Sequence, residues 1–169
     1  DRSYSEQNLK YDIAQVRALR AFAYFYMVRI WGDVPLVTYS YDNGTFPSMP
    51  RTDAQTVLSY AKAELLTAIE DLPYQYGTQT NLYYGSYGAQ WQGKLFNKLS
   101  AYSVLAHICA WQGNYAEAET YSAFIIDHAS EINAKYTSIA DLTSETGLFY
   151  SNASVKGSRI LGFNFAHND

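Results

Sequence analysis

The stretch from residue 6 to residue 31 constrains the fold more than any other. Ile13, Val16, Leu19, Ala23, Met27 and Ile30 recur at steps of three and four, the period of an α-helix. Phe22, Phe25, Tyr26 and Trp31 carry the apolar surface almost around the cylinder, and Arg17, Arg20 and Tyr24 leave only a narrow polar stripe. A helix this apolar calls for cover on two or more sides. Gly32 ends it, and Pro35 keeps it from resuming. The chain is therefore expected to be a set of packed helices rather than a sheet with one helix laid on it.

The remaining pattern agrees. Val34 to Val37 reads as a short extended piece, and 38–50 as a loop. A second helix is predicted to start at a Thr52 cap with Gln55 completing a capping box. Val57, Leu58, Ala61, Leu65, Ala68, Ile69 and Leu72 trace its apolar face, and Pro73 stops it. Residues 74–93 form a second loop, rich in Tyr, Gly, Gln and Asn. Two further helices are expected at about 94–112 and 115–129. Residues 139–142 suggest a short helical turn, and 159–165 alternate as a strand would. Within 101–127, Ala101, Tyr102, Leu105, Ala106, Gly113, Tyr115, Ala118 and Phe124 occupy the places where a tetratricopeptide repeat puts its small and large packing residues. Small residues let two antiparallel helices approach, Gly113 permits the tight turn, and Tyr102 and Tyr115 are expected to fill the groove. The fold class is thus mainly all-α, built of tetratricopeptide-like antiparallel helix pairs with long aromatic-rich loops and minor β near the C-terminus. The whole of 1–169 reads as one helical region, expected to be a piece of a longer chain.

Composition narrows the function. Twelve Lys+Arg against 16 Asp+Glu give a net charge of −4, which argues against a duplex nucleic-acid binder. One cysteine, Cys109, allows neither an internal disulfide framework nor a cysteine-based metal cluster, and three histidines nearly exclude a histidine-rich site. No Walker loop, dinucleotide fingerprint, HExxH or Gly-x-Ser-x-Gly turn occurs. Acidic groups such as Glu64, Glu70 and Asp71 read as ordinary helix-surface charge. The chain is expected to be no enzyme and to need no cofactor or metal. The unusual number is 17 tyrosines.

The run RALRAFAYFYMVRIWGDVPLV, from Arg17 to Val37, resembles the signature segment of the SusD/RagB family. Arg51 with Val57, the run Glu64 to Ile69, and Asp71-Leu72-Pro73 are similar to that family's next helix and its stop. Lys98 to Asn114 resembles its Ala-rich repeat helix, and Ile160 to Phe165 the strand that follows. The resemblance covers nearly the whole chain in the family's order. It implies a non-enzymatic lipoprotein facing outward on a Gram-negative outer membrane. Such a protein binds nutrients, usually oligosaccharides and in some members peptides, and delivers them to a SusC-like TonB-dependent transporter. Its only membrane contact would be a lipid anchor expected outside these residues. The family's ligand contacts lie on variable loops, so none carries over by matching.

Candidate contacts come instead from the residues. Sugars present C–H faces that stack on aromatic rings and hydroxyls that need amide or carboxylate partners. The 74–93 loop offers Trp91 first, then Tyr83, Tyr84 and Tyr87, with Asn81 and Gln90 as polar partners. The loop at 39–46 offers Tyr41, Asp42 and Asn43 beside Tyr39. The alternative is that these rings fold inward and plug gaps between helix pairs. The chain would then be a tetratricopeptide-type protein-interaction scaffold, or a peptide-binding relative, with no glycan site of its own. Arg17 and Arg20 are expected to pair with acids of a neighbouring helix.

Overall fold

The computed structural model describes residues 5–41, 44–78, 83–84, 93–134 and 139. Four helices dominate them: α1 (Glu6–Trp31), α2 (Ala54–Asp71), α3 (Lys98–Trp111) and α4 (Tyr115–Asp127). A single 3-10 turn follows at Ala129–Ile132. The expected strand at 159–165 lies outside the described residues, as does all of the expected turn at 139–142 except Ile139.

Each helix begins where a side chain can take up an orphan amide. The Ser5 hydroxyl accepts the Asn8 N–H at 3.0 Å to open α1. At α2 the cap is Asp53, not Thr52: its carboxylate accepts the Thr56 N–H at 3.0 Å. Thr52 is unavailable because its own N–H and C=O bridge to Val34, at 2.9 and 3.2 Å. α3 starts four residues later than the sequence pattern predicts. Asn97 and Ser100 form a reciprocal capping box there, and Phe96 just before it is tied by its backbone to Gln15 of α1. Gly113 sits at φ +80°, a left-handed conformation that turns the chain into α4, and Asn114 caps α4 through the Glu117 N–H.

The helices pack as two antiparallel pairs. Tyr24 meets Tyr60 while Arg17 meets Glu64, so numbers rise along α1 as they fall along α2. Tyr102 meets Phe124 while Cys109 meets Glu117, the same sense for α3 and α4. Gln55 meets Gln112, and the Lys98 N–H donates to the Pro73 carbonyl, which sets α3 antiparallel to α2. The core runs between α1, α2 and α3: Ala14, Ala18, Ala21 and Phe25 against Leu58, Ala61, Leu65 and Ala68, closed by Leu105 and Ile108. Alanines on both sides of the α1–α2 contact let the backbones approach closely, which maximises the area each neighbouring large side chain buries.

Two further sequence expectations need correction. The stripe read from periodicity on α1 is its outer face: Ile13, Val16, Leu19, Ala23 and Ile30 are exposed, and Tyr24 is buried. A second stripe of the same period, Tyr11, Ala14, Ala18, Ala21, Phe25 and Val28, faces the core. The small residues win because they permit the closest helix approach. Tyr115 does not fill the α3–α4 groove but is exposed. Tyr121 and Phe124 pack on Tyr102 instead, with ring centroids at 5.7 and 4.2 Å.

Candidate functional site

Both loops singled out in the sequence are anchored on α1, at different levels. The first is held by Tyr24, whose buried ring turns its hydroxyl to the chain just past the helix. That hydroxyl donates to the Val37 carbonyl at 2.9 Å and accepts the Val37 N–H at 2.8 Å. The segment then carries three rings outward. Tyr39 and Tyr41 lie with centroids 4.9 Å apart, and Tyr41 and Phe46 with centroids 5.5 Å apart at a steep tilt. Tyr39 is 59% exposed and Phe46 76%, while Tyr41 between them is half-buried. The Tyr41 hydroxyl lies 2.8 Å from that of Tyr39, and this hydrogen bond holds the Tyr41 phenol above its ordinary range. The result is a cluster of three mutually tilted rings, the outer two exposed and Tyr41 between them, its hydroxyl also 3.6 Å from the Met49 sulfur. An apolar surface of this kind has to be held open against the tendency of rings to bury, and the Tyr24 clamp is the feature that keeps its base in place. Asp42 and Asn43, candidates from the same loop, lie outside the described residues.

The second loop is tied to the N-terminal half of α1. Tyr76 and Tyr83 are buried and meet Tyr11 in a three-ring cluster with centroids 5.1 to 6.1 Å apart. Gln15 organises the cluster. Its carbonyl oxygen accepts the Phe96 N–H at 2.9 Å, and its amide donates to the Phe96 carbonyl and to the Tyr76 hydroxyl. Tyr76 donates in turn to the Phe96 carbonyl at 2.9 Å. Asp12 receives both neighbouring phenols, Tyr83 on one carboxylate oxygen and Tyr84 on the other. Burial pushes the Tyr76 and Tyr83 phenols well above their ordinary range, and the Asp12 carboxylate adds to this for Tyr83. Both therefore stay neutral donors at any physiological pH.

The two adjacent candidates thus part company. Tyr83 is 6% exposed and faces inward. Tyr84 is 38% exposed and adopts a left-handed backbone (φ +50°); its ring packs edge-on against that of Tyr83, with centroids 4.7 Å apart, and its hydroxyl reaches Asp12. Asn81, Tyr87, Gln90 and Trp91 lie outside the described residues. Sequence reasoning missed Asp12 and Gln15, which position this loop, and Phe46, the most exposed ring of the first one. A carboxylate set in an otherwise apolar helix face was the available signal for Asp12. Phe46 beside Pro47 in a turn was the signal for the third ring.

Arg17 and Arg20 behave as expected and share the Glu64 carboxylate, Arg17 at 3.1 Å. Cys109 is buried at the α3–α4 contact, where burial raises its thiol above the ordinary range. Among the described residues no group of His, Cys, Asp and Glu could hold a metal ion, and no helix is long and apolar enough to cross a membrane.

No protein-family model matches the chain, and no curated protein sequence matches it. Solved structures do. The chain is similar to surface glycan-binding protein A from Bacteroides uniformis, at 24% identity and TM-score 0.66, over 85% of this chain and 30% of that one. It is similar to a SusD-like carbohydrate-binding protein from Bacteroides fragilis, at 22% identity and TM-score 0.65, over 82% of this chain and 25% of that one. A SusD superfamily protein from Bacteroides vulgatus matches at 17% identity and TM-score 0.67, over 88% of this chain and 28% of that one. The architecture is therefore the SusD-like fold, and the chain spans between a quarter and a third of the length of these structures.

Proposed function

We propose that this chain is the helical part of a SusD-like nutrient-binding protein that captures glycans without turning them over. The observation that carries the reading is the exposed ring surface of Tyr39, Tyr41 and Phe46, raised on a helical scaffold whose structural neighbours include glycan-binding proteins. The exposed rings of Tyr39 and Phe46 can stack on the flat C–H faces of sugar units. Asp42 and Asn43, between the rings in sequence, are suited to hydroxyls. Tyr84, with Trp91, Tyr87, Asn81 and Gln90 of the second loop, is the second contact surface in this reading, and Tyr83 supports it from beneath. The family resemblance extends the proposal to delivery: an outward-facing outer-membrane lipoprotein that passes its glycan to a SusC-like TonB-dependent transporter.

The test is affinity electrophoresis of the protein through gels holding soluble polysaccharides, with Tyr39→Ala/Phe46→Ala and Trp91→Ala alongside. One polysaccharide should retard the wild type. The double variant should lose most of that retardation, at least tenfold in affinity or about 1.4 kcal/mol, with an unchanged circular dichroism spectrum. Retardation that survives both variants would remove the site from these loops. Release of reducing sugar would overturn the non-enzymatic reading.

A further inference from the structure

The excursion between α1 and α2 is a closed loop rather than an open arm. Its ends are joined where Val34 and Thr52 bridge backbone to backbone, and where the Asp33 carboxylate accepts the Ala54 N–H at 2.9 Å. Inside that closure the Tyr24 hydroxyl takes both polar backbone groups of Val37, donating to the C=O at 2.9 Å and accepting the N–H at 2.8 Å. The N–H belongs to the peptide plane before Val37 and the C=O to the plane after it. One phenol therefore orients two consecutive peptides. The Tyr39 ring comes two residues later, and the rest of the cluster builds on it, Tyr41 against Tyr39 and Phe46 against Tyr41.

The phenol is itself held from behind. Tyr24 is 8% exposed, and its ring meets Tyr60 of α2 edge-on with centroids 5.9 Å apart. The Arg20 guanidinium lies 5.7 Å from the centre of the Tyr60 ring and pairs with Glu64. The hydroxyl thus takes its position from the packed faces of α1 and α2, and a ring this buried offers no face to a sugar. Exposed rings bind best when they stand ready before the ligand arrives, because ordering them at the moment of binding costs affinity. We infer that Tyr24 is a positioning residue for the glycan surface: its hydroxyl sets the affinity of the ring cluster by fixing where Tyr39 and its neighbours stand, without meeting the glycan. The role in affinity rests on the glycan reading, and the hold on the loop does not.

The experiment compares the complete wild-type protein with Tyr24→Phe, which keeps the ring against Tyr60 and removes only the hydroxyl. Two quantities are measured: amide exchange without ligand, and retardation by the polysaccharide that retards the wild type. Exchange across residues 37–46 should quicken at least about tenfold, with the amides of α1 and α2 unchanged. Affinity should fall at least about threefold. In the Tyr39→Ala/Phe46→Ala background the same substitution should leave the residual retardation as it was, because the rings it positions are gone. Unchanged exchange at 37–46 overturns the inference. So does faster exchange throughout α1 and α2, since Tyr24 would then serve the core alone. Faster exchange confined to the loop with undiminished retardation overturns the role in affinity, as does a further loss in the triple variant. If no polysaccharide retards the wild type, the glycan reading falls and takes the role in affinity with it, while the exchange result still decides whether Tyr24 holds the loop.

Discussion

The two helix pairs reach the same antiparallel arrangement by different routes. α3 and α4 are joined by Gln112, Gly113 and Asn114, and the turn between them is set locally, by a left-handed glycine and a capping asparagine, with one distant tie, the Lys62–Glu117 ion pair at 2.6 Å. α1 and α2 are separated by residues 32–53, and their alignment depends on contacts distant in sequence. These are the shared Glu64, the Tyr24 clamp on Val37, the Val34–Thr52 bridge and the Asp33 carboxylate that accepts the Ala54 N–H at 2.9 Å. A long excursion costs only slightly more closure entropy than a short one. The first pair can therefore carry an exposed aromatic loop, and the second, with no loop to spare, acts as a buttress.

The sharpest way to break the comparison is to weaken the first pair's packing. Leu65 is fully buried against α1, so Leu65→Ala should cost about 2–5 kcal/mol in urea unfolding. The loss should loosen α1 and α2 before α3 and α4 in hydrogen exchange. Next in size is Glu64→Ala, which leaves two guanidiniums without their carboxylate. Both arginine side chains are about one-third exposed, so the loss should be about 1–2 kcal/mol after allowance for solvent screening. A double-mutant cycle with Arg20→Ala should recover part of it. Gly113→Ala tests the local route: nothing lies within 4 Å of an added Cβ, so the cost is backbone strain alone, about 1 kcal/mol. It should appear in α4 and leave α1–α2 exchange unchanged.

The smallest effect is a pH dependence at the start of α2. Hydrogen bonds from the Thr56 hydroxyl and amide hold the Asp53 carboxyl below its ordinary range. A carboxylate depressed in the folded state adds stability above its unfolded value, and that stability fades as pH falls through the folded value. Wild type should therefore lose more stability than Asp53→Asn between pH 5 and pH 2, because asparagine caps without titrating. Parallel melting curves for the two proteins over that range would show that Asp53 contributes nothing.

The same contrast explains what the sequence made legible. The Gly113–Asn114 turn, the Pro73 stop and the Gly32 end were readable because each is decided within a few residues. The start of α2 was misplaced by one residue because Thr52 is claimed by Val34, a partner 18 positions earlier that no local pattern reveals. The core face of α1 was misread for a deeper reason. Two stripes of the same period coexist on one helix, and only the alanines facing Ala61 and Ala68 decide between them. At the candidate site, aromatic richness drew attention to both loops. It could not separate Tyr83 from Tyr84, because their opposite fates follow from one left-handed residue and from Asp12, 71 and 72 positions away in the chain.

The central claim is that the aromatic loops, not the helical faces, meet the glycan. Hydrogen exchange with and without the polysaccharide that retards the protein tests it most directly. The account predicts slower exchange at residues 38–46, with or without the 83–93 segment, and no change across α3 and α4. Protection centred on α3 and α4, with 38–46 and 83–93 unaffected, would contradict it.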